Sequence, residues 1–139
     1  MKILFVCTGN SCRSQTAEGL LKTLKPGFEV FSAGVKPEKE ISKYAVKVLK
    51  NIDIDISEQY PKDIEIFKNK KFDYIITFSQ SAKNKTKEYN LKSKKKLHFE
   101  IDDPFGATGT EYEILKKYER MRDDILKILN RLYEPDNRR

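Results

Sequence analysis

Histidine and cysteine are scarce in this chain of 139 residues: it holds one histidine, His98, and two cysteines, Cys7 and Cys12. Two cysteines make no disulfide framework, and a metal cage needs more ligands than the chain groups together, so no metal and no cofactor is expected. A Cys-His or Ser-His-Asp apparatus would have to use His98, and nothing around that residue supports the role. Long apolar runs are also missing. No stretch approaches the roughly 20 residues of a membrane span, and the run Met1–Cys7 is shorter than a secretory leader and is followed at once by Gly9 and Asn10. The expectation is a cytoplasmic protein without a membrane partner. No internal repeat and no linker interrupts the sequence.

What is present suits one globular domain over residues 1–139, long enough for a real core. Hydrophobic residues make up 38% and charged residues 35%, with a net charge of +7. The excess is mostly lysine and reads as dispersed, with Lys68, Lys70, Lys71 and Lys94, Lys95, Lys96 beside predicted strands. No nucleic-acid motif accompanies it, so a nucleic-acid partner is not expected.

Strands and helices alternate. Lys2–Val6 reads as a buried strand from its continuous apolar run. A helix follows, with Ser14 able to cap it and Ala17, Leu20, Leu21 and Leu24 at helical spacing. Phe28–Ser32 is a second strand, Glu38–Asn51 a second helix, and Asp63–Asn69 contains a short helix. Phe72–Phe78 is a third strand, Ser81–Tyr89 a polar helix, and Lys96–Ile101 a fourth strand leading to Asp102-Asp103-Pro104. Thr110 and Glu113 form a capping box before a long helix with Leu115, Tyr118, Met121, Ile125, Leu129 and Leu132 in one stripe. Pro135–Arg139 reads as a frayed tail. The alternation predicts an α/β three-layer sandwich, a four-stranded parallel sheet flanked by helices. Ligands in such folds bind beyond the carboxyl ends of strands, where Cys7 and Asp103 both fall.

The segment Cys7-Thr8-Gly9-Asn10-Ser11-Cys12-Arg13-Ser14 carries the chemistry. Amides between a strand end and a helix start lack intrahelical partners and can point at an anion. Gly9 and Asn10 tolerate positive φ, so Thr8, Gly9, Asn10, Ser11, Cys12, Arg13 and Ser14 can form an oxyanion-binding nest. Arg13 can grip two oxygens with its planar fork. Cys7 at the base of this positive loop is the candidate thiolate nucleophile, with Ser14 able to donate to its sulfur. The segment is no nucleotide P-loop, since no Gly-Lys-Ser/Thr ending follows.

Val6 through Gln15, with Ala17-Glu18-Gly19, Ser32-Ala33-Gly34 and Asp103-Pro104, resembles the low-molecular-weight protein tyrosine phosphatases and the arsenate reductases built on the same fold. The resemblance implies that Cys7, Arg13 and Asp103 are catalytic. Cys7 would attack phosphorus or arsenic, Arg13 and the loop amides would hold the equatorial oxygens, and Asp103 would be general acid and then base. It implies as partner a phosphate monoester or phosphotyrosyl substrate, or arsenate plus a thiol reductant.

Details divide the two branches. Gln15 stands where the phosphatases have proline, and the opening loop is nearer the reductases. The aromatic wall of a phosphotyrosine slot is thin: Val35-Lys36-Pro37 has no aromatic and Phe105 is followed by Gly106. Thioredoxin-coupled reductases, however, need two further cysteines, and Ser79 and Thr86 stand in their places. The expected activity is therefore phosphatase, the alternative an arsenate reductase using an external thiol, and a third class an oxyanion-binding regulator without turnover. Cys12 could pair with Cys7 as a redox brake. Asn10, Glu18 and Ser32 match a potassium site of some reductases, but Lys62 takes the place of its aspartate and can itself supply the positive charge.

Overall fold

The computed structural model describes residues 1–133; the expected frayed tail lies outside the described residues. Its four strands, β1 (Lys2–Cys7), β2 (Glu29–Gly34), β3 (Lys71–Thr77) and β4 (Lys92–His98), form one sheet in the order β2-β1-β3-β4 with every pairing parallel. The helices are α1 (Arg13–Leu24), α2 (Lys43–Lys50), α3 (Gln80–Glu88) and α4 (Glu111–Tyr133), with a single 3₁₀ turn at Ile64–Phe67.

The apolar run of β1 is explained by burial on both faces. Ile3, Phe5 and Cys7 join one core with residues of α1, α2 and α4, including Leu20, Leu21, Leu49, Tyr118 and Ile125. Leu4 and Val6 join a second with Ile64, Phe67, Ile75, Ala82 and Leu91. The sheet is thus the middle layer of three, as expected. The chain passes from β1 to β2 on one side and returns to β3 on the other, so the loop after β1 opens at the point where the strand order reverses.

Two elements start well away from where they were expected. The fourth strand is Lys92–His98 instead of Lys96–Ile101. As an edge strand it is paired on one flank only, so it needs no apolar run, and Lys94–Lys96 lie inside it rather than beside it. The second helix starts at Lys43, capped by the Ser42 hydroxyl, not at Glu38. Residues 36–42 are instead a strap: the amides of Lys36, Glu38 and Ser42 donate to the carbonyls of Thr8, Gly9 and Ser11 at 2.9, 2.9 and 3.0 Å, which keeps them out of helical register. In α4 the capping box forms, Thr110 N to Glu113 Oε1 and Glu113 N to Thr110 Oγ1 both at 3.1 Å. Its buried stripe is Tyr118, Met121, Ile125, Leu129 and Tyr133, while Leu115 and Leu132 are only half-buried beside it. Among the described residues, no helix is long and apolar enough to cross a membrane.

Candidate active site

The strap explains the form of the loop after β1. With the carbonyls of Thr8, Gly9 and Ser11 tied to residues 36–42, the peptide planes turn their N–H groups toward the other side. Among the described residues, the amides of Gly9, Ser11 and Cys12 have no protein acceptor, whereas that of Asn10 donates to Cys7 Sγ at 3.2 Å. This is the geometry of an anion nest. Of the two residues that tolerate positive φ, Asn10 adopts it, at φ 52°, and Gly9 does not.

Asn10 is the hub of the loop. Its Nδ2 donates to Ser14 Oγ at 2.7 Å, and its Oδ1 accepts from the Lys62 amide at 2.8 Å and from Gln15 Nε2 at 3.1 Å. Gln15 Nε2 also reaches the carbonyls of Asn10 and Tyr60, and Gln59 Nε2 in turn holds Gln15 Oε1 at 2.7 Å. Gly34 backs the loop. A Cβ there would lie 2.8 Å from the Thr8 carbonyl and 2.9 Å from the Asn10 amide nitrogen, so the Ser32-Ala33-Gly34 ending allows the close approach.

Ser14 does not cap α1, as the sequence suggested it could. Cys12 stands at the N-cap with no side-chain capping bond, because the Ser14 hydroxyl is turned to Cys7 Sγ at 2.9 Å. Cys7 is only 2% exposed. The hydroxyl of Ser14 and the amide of Asn10 are thus the two groups placed to donate to a thiolate.

Arg13, next to Ser14 in the chain, is also buried. Its Nη1 donates to the carbonyls of Phe78 and Ile101 at 3.1 and 3.0 Å, and Nη2 to Asp103 Oδ2 at 3.2 Å. Its Nε is buried without a hydrogen-bond partner among the described residues, a donor free for an oxyanion oxygen. Asp103 is 40% exposed at its side chain, and its Oδ1 accepts from the Phe105 amide at 3.0 Å. The expected residues from Cys7 to Ser14 and Asp103 therefore converge, on the rim predicted for them. Beside them, Glu38, Ile41, Ser42 and Phe105 help line a cavity of about 530 Å³, with Phe105 its one aromatic. His98 is engaged elsewhere, with Thr77 Oγ1 and Glu100 Oε1.

Some supporting residues were not legible in the sequence. Tyr118, assigned to the apolar stripe of α4, has a hydroxyl that meets Cys12 Sγ at 3.4 Å and Ser42 Oγ at 3.0 Å. Burial pushes the Cys12 thiol up to about 11, with the Tyr118 and Ser11 hydrogen bonds opposing the shift. Ser79 and Ser81 both reach Thr8 Oγ1, at 3.1 and 3.0 Å, tying the start of α3 to the loop. A polar residue on an otherwise buried helix face, such as Gln15, is the signal that marks such supports.

No group of three or more His, Cys, Asp or Glu side chains able to hold a metal occurs among the described residues. The potassium site does not fit this chain. Glu18 Oε1 accepts from Ser32 Oγ at 2.6 Å, and Lys62 Nζ lies 4.0 Å from the same oxygen and 2.8 Å from the Tyr60 carbonyl. An ammonium thus already faces these oxygens. Desolvation lowers the Lys62 pKa from its usual value, opposed by the charge of Glu18.

The model of the family described as low molecular weight phosphotyrosine protein phosphatase matches residues 2–136. A protein named arsenate reductase from Halalkalibacterium halodurans is 40% identical over 124 residues, covering 88% of each chain. The solved low molecular weight protein tyrosine phosphatase from T. tengcongensis superposes with a TM-score of 0.78 at 30% identity, over 97% of this chain and 99% of that one. A structure described as an arsenate reductase in oxidized state gives 0.80 at 28% identity, over 94% and 95%. The fold, the matched family model and these similarities agree that the chain belongs to the low molecular weight phosphotyrosine protein phosphatase family.

Proposed function

We propose that the chain is a cysteine-dependent phosphomonoester phosphatase acting on phosphotyrosyl or other aryl phosphates. The observation that carries the proposal is the pairing of Cys7 Sγ with Ser14 Oγ and the Asn10 amide, in one loop with a buried Arg13 whose Nε has no partner among the described residues. Cys7 attacks phosphorus in line, and the bond to the ester oxygen breaks as Asp103 gives that oxygen its proton. Arg13 and the amides of the loop hold the equatorial oxygens throughout. The Asp103 carboxylate then takes a proton from water as that water displaces Cys7 from phosphorus, releasing inorganic phosphate and the free thiolate.

The choice of water over a thiol for the second step rests on α3. Ser79 and Thr86 stand where the resemblance puts the relay cysteines. The Ser79 hydroxyl caps the helix and Thr86 bonds the Lys83 carbonyl, and Cys7 and Cys12 are the only thiols in the chain. The 40% identity to a protein named arsenate reductase favours a second reading, arsenate reduction with an external small thiol. Parallel assays on one preparation separate the two. Aryl phosphate hydrolysis at millimolar substrate, with no arsenate reduction driven by thioredoxin alone, is expected. Negligible hydrolysis together with glutathione-dependent arsenate reduction would replace the first reading by the second.

A further inference from the structure

The positive charge of this chain is not dispersed. Between Lys68 and His98 there are ten lysines against two carboxylates, Asp73 and Glu88, an excess of eight where the whole chain carries +7. The rest of the chain is therefore close to neutral. The fold gathers this segment at one flank, because it is β3, α3 and the edge strand β4. Among the described residues, Asp73 pairs with Lys94 at 3.3 Å and Glu88 with Lys85 at 3.1 Å, and the other eight lysines have no carboxylate within 4.0 Å.

Two basins lie along this flank. One, of about 320 Å³, is lined by Lys2, Lys71, Phe72, Asp73, Lys92 and Lys94. The other, of about 300 Å³, includes Lys83, Lys87 and Lys96 with Ile75 and Leu97 as apolar floor. Between them runs β4, with one flank paired to β3 and, among the described residues, no strand on the other.

We propose that β4 is a docking edge for an extended acidic segment of a partner protein, which adds to the sheet as a fifth strand. An open strand edge supplies backbone donors and acceptors to any extended chain. The lysines select among chains: a second copy of this protein would bring its own lysines against them and is repelled, while a chain of alternating acidic and apolar residues pairs with lysines and fills the apolar floor. The cations are all lysine, without an arginine, and no large aromatic side chain of the segment is exposed. Forked contacts to phosphates and stacking platforms for bases are thus missing, which favours a protein segment over nucleic acid. The carboxyl end of β4 lies on the rim that carries Cys7, since Val6, Thr77 and His98 are in register. Two strand spacings, about 10 Å, separate them. The docked segment would pass beside the candidate active site whichever reaction Cys7 performs.

The test uses the unaltered protein and a decapeptide of alternating Glu and Val. Saturable binding is expected, with affinity falling about tenfold between 50 and 200 mM salt and with slowed amide exchange confined to β4. The same peptide with alternate N-methyl groups keeps its charge but cannot complete a ladder, and should bind at least about tenfold more weakly. Lys92→Glu, Lys94→Glu and Lys96→Glu together should give a similar loss, with an unchanged circular dichroism spectrum as the control for folding. Equal binding of the N-methylated peptide, or no protection in β4, would overturn the proposal. So would tighter binding of an oligothymidylate or of anionic vesicles than of the peptide.

Discussion

Arg13 Nη2 and Asp103 Oδ2 are 3.2 Å apart, so the candidate anion-binding cation and the candidate proton donor hold one another across the mouth of the loop. The pair joins the helix that starts at Arg13 to the loop that follows β4, and it sets where the Asp103 carboxyl stands relative to Cys7. An arriving oxyanion competes with that carboxylate for the guanidinium. Asp103→Asn should therefore slow turnover by about 10²–10⁴ for esters with poor leaving groups, and far less for acidic phenols, whose departure needs no proton. A series of aryl phosphates reads this directly. An equal loss along the series would assign Asp103 a purely structural part. Asp102, exposed and without a side-chain partner among the described residues, is the control and should cost little.

Cys7→Ser should reduce turnover by a factor of about 10⁴ or more, as for removal of other nucleophiles. It should leave inorganic phosphate binding largely intact, because the amides and Arg13 remain. Calorimetric titration with phosphate measures the second quantity and steady-state hydrolysis the first. Arg13→Lys should fail in both, since an ammonium cannot reproduce contacts to Phe78, Ile101 and Asp103 and still offer a donor to an oxyanion.

Gly34→Ala tests the backing of the loop. The added methyl would sit 2.8 Å from the Thr8 carbonyl, against backbone that the strap already fixes. A destabilisation of about 1–3 kcal/mol is expected, together with weaker phosphate binding, because the atoms displaced belong to the nest. Chemical denaturation and phosphate titration on the same variant check the two effects. Lost stability with unchanged phosphate affinity would separate Gly34 from the site.

How much of this was legible in the sequence follows from where the signal is local. The run from Cys7 to Ser14 announces itself, since a strand end, a tight loop and a helix start are contiguous. The layered fold is written in the alternation of elements, and β1 in its unbroken apolar run. Helical spacing of Ile41, Tyr44 and Ala45 predicts helix through the strap; only contact with the loop carbonyls shows why residues 36–42 stay out of the helix. The edge strand was displaced for a related reason. Lys92–Lys96 have no hydrophobic pattern, and pairing along β3 alone decides their conformation. The roles of Tyr118 and Gln59, and the hold of Gln15 on residues 59 and 60, depend on partners 44–106 residues away, which no periodicity encodes.

Cys12 yields the last prediction. It is 2% exposed, and burial raises its pKa from 9.0 to about 11. Its thiol is therefore neutral near pH 7 and is shielded against Tyr118. Because the folded-state pKa lies above the unfolded one, the associated stability is fully present below about pH 9 and is lost as pH rises toward 11. Denaturant midpoints measured over this window should fall, and Cys12→Ser should remove that part of the fall; the same slope in wild type and variant would assign it to other groups. The protonated state also decides the redox behaviour. Peroxide oxidises thiolates first, so Cys7, as the thiolate of the proposed mechanism, should become the sulfenic acid. Cys12 can then condense with it, losing water and leaving a disulfide that dithiothreitol reduces. Mild peroxide should accordingly inactivate the wild type reversibly, whereas Cys12→Ser should lose activity beyond recovery as Cys7 is oxidised further. Equal recovery in the two proteins would show that Cys12 serves the loop only through its contact with Tyr118.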